Sequence, residues 1–306
     1  MQKDIKLAPY TTYKIGGPAK YFAECKSEKD ILYALKWAKE KELPYFVLGG
    51  GSNLLVSDGG YKGLVIHIFN AGILQDGMEI EAGAGTTMED LVDLSVKNGM
   101  KGLEWAGGLP GQLGGALRGN AGAFGGEIKD IVKSVRVVSA DGEIKDFTKA
   151  QCNFTYRTSV FKENPGDIIV SAKLNLKKGN ADELRQVADG HMEWRRTKHP
   201  IEYGNSGSVF KGVELEKLPA MAVKEYPDFK RAIRDGRVAA AFFIDRAGLK
   251  LKRIGGAEVS GKHPNFLINR TGSARAEDVI ILKSIVKSRV MCELGAALEE
   301  EIEFLD

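Results

Sequence analysis

The residues of this chain that can do chemistry fall in a few short stretches. The first is Gly49-Gly50-Gly51-Ser52-Asn53, which follows an apolar run ending at Leu48 and precedes Leu54-Leu55-Val56. Consecutive glycines let a backbone take positive φ and present N–H groups with no side chain in the way. Such a concave nest of amides binds anions, phosphates above all, and Ser52 and Asn53 add side-chain donors. The same glycines also suit a plain tight turn. No Gly-Lys-Ser/Thr follows and the G-x-G-x-x-G spacing is missing, which excludes a Walker loop and a Rossmann fingerprint.

The second stretch runs from Gly107 to Gly126 and is dense in glycine and alanine. It contains Gly108, Pro110, Gly111, Gly114 and Gly115, then Asn120-Ala121-Gly122-Ala123. So many small residues imply that something presses against the backbone, either a ligand or another element. A third glycine-containing loop, Gly83–Thr86, lies between them. Together the three suggest one long ligand with a diphosphate lying across the first half of the chain.

Three further stretches carry reactive side chains. In Tyr156-Arg157-Thr158-Ser159-Val160-Phe161 an arginine sits between an aromatic and two hydroxyl residues. Its guanidinium can clamp a carboxylate or phosphate with two parallel hydrogen bonds, or it can be an ordinary surface arginine. In Gly207-Ser208-Val209-Phe210-Lys211 a serine on a sharp turn can donate a proton. G-x-S-x-G is not met, which argues against acyl transfer. In Leu298-Glu299-Glu300-Glu301-Ile302 a strand reading puts Glu299 and Glu301 on one face; a solvated charge run is the alternative.

The elements around these stretches follow from periodicity and caps. Tyr21–Cys25 reads as a strand. Ser27 and Asp30 open a helix with Ile31, Leu32, Leu35 and Ala38 on its apolar face. Tyr45–Leu48 and Leu64–Phe69 read as strands, and Met78–Ala82 as a strand feeding Gly83. Thr87–Asn98 reads as a helix with Leu91 and Leu94 inward and Gly99 ending it. Asp141-Gly142 between Val135–Ser139 and Glu143–Phe147 is a hairpin signal. Ile168–Leu176 reads as a strand, and Ala181–Lys198 as a helix with charges on its outer face. Helices are expected near Lys217–Tyr226 and Arg275–Val290, and a final strand over Glu301–Leu305. This is an α+β pattern without regular βαβ alternation.

Composition limits the function classes. The 306 residues carry 44 basic and 41 acidic side chains, too balanced for nucleic acid to be the main partner. The N-terminus has no apolar core for a signal peptide, and Val238–Ile244 is too short to span a bilayer, so no membrane partner is expected. Cys25, Cys152 and Cys292 are isolated, as reduced cytoplasmic thiols would be, and neither they nor the four histidines show metal-ligand spacing. No metal is expected.

Taken in order, these stretches resemble the UDP-N-acetylenolpyruvoylglucosamine reductase (MurB) family. The resemblance covers Thr11–Ala19, Leu48–Leu55 with Asp58 and Gly59, Gly108–Ala123, Tyr156–Phe161, Gly207–Lys211, Ile254–Ala257, Asn265–Asn269 and Leu298–Ile302. It implies a vanillyl-alcohol-oxidase/PCMH-type FAD-binding domain over residues 1–190, with two α+β subdomains of about 1–70 and 71–190. A smaller α+β substrate-binding domain over 191–306 would follow. It implies non-covalent FAD, with Leu48, Gly49–Asn53, Gly83, Gly108, Pro110, Gly111, Gly114, Gly115 and Asn120–Gly122 holding it.

The implied activity is that of a UDP-N-acetylmuramate dehydrogenase of peptidoglycan synthesis. NADPH is the co-substrate and a UDP-sugar enolpyruvyl ether is reduced, in the cytoplasm, by a monomer. Arg157 would hold the substrate carboxylate, Glu301 would steady the enolate-like intermediate and Ser208 would give a proton to C2. Lys198 and Lys211 would meet the UDP phosphates. The family usually continues Phe-Lys-Asn-Pro after the serine turn. Here Gly212 and Val213 follow Lys211, and the stretch 214–241 is longer than in compact members.

Overall fold

The computed structural model describes residues 1–219 and 229–306. They form two compact units that share the chain in alternating segments. The first unit comprises Met1–Ile5, Ala19–Gly50 and Lys62–Thr197, and the second Lys6–Pro18, Gly51–Tyr61 and Lys198–Asp306. The ranges 1–190 and 191–306 read from the sequence are contiguous, whereas these units are interleaved.

The first unit is built on two sheets. In one, the strand order is Gln2–Lys6, Pro18–Cys25, Tyr61–Ile68, Tyr45–Leu48. Tyr45–Leu48 runs parallel to Tyr61–Ile68, with Tyr45 opposite Leu64, and delivers the chain to Gly49. The other is antiparallel, in the order Ile144–Thr148, Val132–Val138, Ile168–Asn175, Glu79–Gly83, Ile73–Asp76. Its Glu79–Gly83 strand delivers Gly83.

Helices Glu28–Glu40 and Met88–Lys97 start where their caps predict. The Ser27 hydroxyl accepts from the Asp30 N–H, and the Thr87 hydroxyl from the Asp90 N–H at 3.0 Å. Ile31, Ala34, Leu35 and Ala38 of one helix and Leu91, Val92 and Val96 of the other are buried in one continuous core with Ile66, Ile80, Val135 and Leu174. Leu32 and Leu94 stand only half-buried at its margin. The hairpin expected at Asp141-Gly142 is present: Gly142 takes φ 83° and its N–H donates to Ser139 O at 2.8 Å.

The second unit packs helix Ala276–Leu294 on the antiparallel strands Arg253–Ile254, Ala257–Val259 and Leu267–Asn269. Val279, Leu282, Val286 and Val290 are fully buried at helical spacing, against Phe243, Val259 and Leu267. Asp58 accepts from the N–H groups of Ala276 and Glu277 at 3.0 and 3.2 Å, satisfying two donors of the helix N-terminus. Gly295 at φ 65° ends the helix.

Of the helix expected near Lys217–Tyr226, residues 215–217 form a 3₁₀ turn and 220–228 lie outside the described residues. The final strand is Glu303–Leu305, shorter than the expected Glu301–Leu305, and it runs parallel to Leu54–Val56. No helix among the described residues is long and apolar enough to cross a membrane.

Candidate active site

Within the first unit the glycine loops come together backbone to backbone. A Cβ on Gly50 would sit 3.2 Å from Gly111 Cα, and one on Gly49 would sit 3.1 Å from the Gln112 side-chain oxygen. The Leu113 N–H donates to Thr86 O and the Gly114 N–H to Ala84 O, both at 2.9 Å, while the Met88 N–H donates to Gly111 O at 3.0 Å. The loops 49–50, 83–87 and 107–115 are thus one assembly.

The absent side chains in it have different causes. Gly83 and Gly85 make room for Asn70, whose amide donates to Val170 O at 2.7 Å and whose side-chain oxygen accepts from the Gly85 N–H at 3.0 Å. Gly107 makes room for Ala188 on helix Ala181–Lys198, and Gly108, at φ 69°, for Met192. Gly122 is crowded by Glu127 across a short hairpin. Gly115 is different: it is exposed, and a Cβ there would meet no protein atom within 4 Å. The protein's own packing leaves the backbone at Gly115 open, with room for a side chain or for a ligand. In the same loops Thr86 Oγ1 and Gln112 Oε1 are buried without a hydrogen-bond partner among the described residues. Buried polar atoms are nearly always paired, so an unpaired pair here fits a ligand's polar edge. Leu48 is buried, Pro110 exposed and Ala121 half-buried.

Arg157 projects from a tight turn in which Thr155 and Thr158 exchange backbone hydrogen bonds. It takes φ 56°, an unusual conformation for a non-glycine residue. Two buried side chains fix this turn. Ser159 donates to Arg118 O at 2.7 Å. Asn120 donates to Thr155 O at 2.9 Å and to Glu127 Oε2 at 3.3 Å, and accepts from the Lys129 N–H at 3.3 Å. Asn120 is fully buried, so its side chain serves the Arg157 turn.

In the second unit the serine turn and Glu301 are joined through the backbone. The Glu301 N–H donates to Val209 O at 2.8 Å, one residue from Ser208. On its other side Glu301 O accepts from the Asn53 amide at 3.0 Å. The final strand begins beyond it, at Glu303. Glu300 bridges Phe210 in antiparallel fashion, with the Lys211 N–H donating to Glu299 O at 2.9 Å, so Glu299 and Glu301 flank a bridged residue in the extended geometry that the alternation expects. Asn265 clamps the serine turn: its side chain accepts from the Phe210 N–H at 3.0 Å and donates to Phe210 O at 2.8 Å. Gly207 at φ 78° makes the bend. Ser208 itself is half-buried and its hydroxyl has no hydrogen bond among the described residues. Gly51 packs against Tyr10 and Thr11, and Thr12 bonds both Gly51 O and Asn205 O, tying the N-terminal segment to the serine turn.

The two lysines differ. Lys211 pairs with Glu299. Lys198 is exposed and forms no ion pair among the described residues. Sequence reasoning missed Thr86, Gln112, Asn70 and Asn265. It also set every charge of helix Ala181–Lys198 outward, whereas Arg195 is buried with Leu184 and Ala188. The spacing 184, 188, 195 was the available signal.

Residues 19–148 match the family model described as an FAD binding domain. Residues 199–305 match the C-terminal domain of UDP-N-acetylenolpyruvoylglucosamine reductase. The UDP-N-acetylenolpyruvoylglucosamine reductase of Solibacter usitatus is 36% identical over 299 residues, covering 98% of this chain and 95% of that one. The reductase of Clostridioides difficile is 36% identical over 311 residues, covering 99% and 94%. The chain belongs to the UDP-N-acetylenolpyruvoylglucosamine reductase family. The crystal structure of the Thermus caldophilus reductase aligns with a TM-score of 0.78 at 32% identity, over 99% of this chain and 98% of that one.

The fold class read from the sequence holds: a PCMH-type FAD-binding domain with a family-specific C-terminal domain, both α+β. The residues present fit FAD. The open backbone at Gly115 and the unpaired Thr86 and Gln112 oxygens give a flavin nucleotide room and polar partners inside the first unit.

Proposed function

We propose that this chain reduces UDP-N-acetylglucosamine enolpyruvate to UDP-N-acetylmuramate with NADPH, in the cytoplasm, as a monomeric step of peptidoglycan precursor synthesis. The observation that carries the proposal is the backbone link between the serine turn and Glu301. A hydroxyl with no hydrogen bond among the described residues stands one residue from the carbonyl that accepts from the Glu301 N–H. FAD, when bound, supplies the hydride relay between NADPH and C3 of the enolpyruvyl group.

The chain's own residues do the rest. Arg157 holds the substrate carboxylate, where a fixed cation stabilises most as negative charge builds up. Glu301 steadies the enolate-like intermediate. Ser208 gives its proton to C2; a hydroxyl is a weak acid, but a carbanion-like carbon is a strong base. The glycine loops with Leu48, Ser52 and the backbone of Asn53 hold the cofactor. Lys198 and Lys211 serve the UDP phosphates, Lys211 by exchanging Glu299 for phosphate. The ranges 1–190 and 191–306 are then the cofactor-serving and substrate-serving parts. Cys25, Cys152 and Cys292 are unpaired, which supports a reducing compartment.

The test is direct. The purified protein should show a flavin absorption spectrum and should oxidise NADPH rapidly only when the UDP-sugar is added. A colourless protein that leaves the fluorescence of added FAD unquenched sinks the reading. So does fast oxygen-driven NADPH oxidation that ignores the sugar.

A further inference from the structure

Helix Ala181–Lys198 turns Ala188, His191, Met192 and Arg195 onto the segment 104–108, positions i, i+3, i+4 and i+7 of one face. Gly107 and Gly108 have no side chains there because this face lies against them. His191 Nδ1 donates to Glu104 O at 3.1 Å, and Arg195 Nε to Gly107 O at 3.0 Å. The guanidinium carbon is 5.2 Å from the ring centre of Phe124, which stacks on His191 at 4.0 Å.

The result is a buried cation without an anion. Arg195 is 8% exposed, its Nη2 has no hydrogen-bond partner, and no carboxylate lies within ion-pair distance among the described residues. Burial pushes its guanidinium down to about 10, still protonated at neutral pH. An unpaired buried charge is costly, and folds keep one where a ligand completes the pair. Arg195 opens the same loop run, 107–112, whose far end carries the unpaired Gln112 oxygen. The small residues and the unpaired atoms thus occur on one continuous piece of backbone.

We propose that Arg195 binds a phosphate group of a nucleotide ligand, through the guanidinium edge that the protein leaves unpaired. The choice of nucleotides rests on the functional reading above, since FAD, NADPH and the UDP-sugar all carry a diphosphate. The donor geometry suits phosphate oxygen from any of them.

The experiment compares wild type with Arg195→Met, which keeps the packing volume, and Arg195→Lys, which keeps the charge. Three quantities are read: the Kd for FAD by flavin fluorescence, the KM for NADPH and the KM for the UDP-sugar. The expected result for Arg195→Met is a loss of about tenfold or more in one of them, with the others within about twofold. Partial recovery is expected in Arg195→Lys, and the affected quantity names the phosphate's source. Thermal stability should hold or rise, because an uncompensated charge has been removed. If all three quantities stay within about twofold while Tm falls, Arg195 is only a structural strut and the proposal is overturned. If wild type neither binds FAD nor turns over, it is the functional reading that fails. Arg195 is then judged by inorganic pyrophosphate, which must raise the Tm of wild type and leave that of Arg195→Met unmoved.

Discussion

The side-chain amide of Asn53 donates to the backbone carbonyl of Glu301 at 3.0 Å, joining residues 248 positions apart. Asn53 thereby fixes the segment that carries Glu301. One neutral hydrogen bond contributes about 1 kcal/mol, so Asn53→Ala should slow reduction of the UDP-sugar by about fivefold. Flavin reduction by NADPH should be little changed. Stopped-flow traces of the two half-reactions check this; loss of bound FAD instead would put Asn53 on the cofactor.

Asn120 makes the corresponding contribution for Arg157. Removing its three part-buried hydrogen bonds leaves Thr155 O with the Thr158 N–H but without the side-chain donor. Asn120→Ala should lower stability by about 1–3 kcal/mol in denaturant titration. It should also raise the KM for the UDP-sugar more than that for NADPH. A variant with equal rises in both would show that the turn does not depend on Asn120.

Among the described residues nothing hydrogen-bonds the Ser208 hydroxyl. Ser208→Ala should leave flavin reduction by NADPH intact and cripple reoxidation by the sugar. Equal losses in the two half-reactions would falsify the proton-donor role.

Gly190 stands inside helix Ala181–Lys198, exposed, where a Cβ would meet nothing within 4 Å. Nothing in the packing requires a glycine there. Gly190→Ala should stabilise the protein by about 0.5–1 kcal/mol, mainly by restricting the unfolded chain. Calorimetry would show a raised Tm; a lowered one would mean the site needs the bare backbone.

His263 is held down to about 4, mainly by burial and further by the charge of Lys250, against a hydrogen bond that works the other way. The unfolded chain takes up the proton near pH 6.5 while the folded one refuses it until about 4. The neutral ring's contribution to stability is therefore complete above about pH 6.5 and lost as pH falls toward 4. Unfolding titrations across that window should steepen with acid in wild type and flatten in His263→Gln. Parallel curves would assign the acid sensitivity elsewhere.

The local parts of this structure are legible in the sequence because they are written in neighbouring residues. Ser27 with Asp30, Thr87 with Asp90 and Asp141 with Gly142 each act over three positions or fewer. Arg157, Ser208 and Glu301 were legible as candidates too, because each stands among neighbours of distinctive type. What holds them was not. Asn53, Asn120 and Asn265 work by bonding backbone groups of distant segments, and a carbonyl acceptor leaves no mark on residue type. Arg195 was hidden for the opposite reason, since a charged residue on a helix is normally solvated.

The alternating division of the chain limits how this enzyme can be cut and recombined. Residues 198–306 expressed alone would lack Tyr13, Ile15 and Leu55 from their hydrophobic centre, and Asn53 from the acid's anchor. Exchanging the C-terminal portion with a relative at one crossover near position 198 would therefore graft half of a packed interior onto a foreign complement. A workable chimera must carry the segments 6–18 and 51–61 along with it.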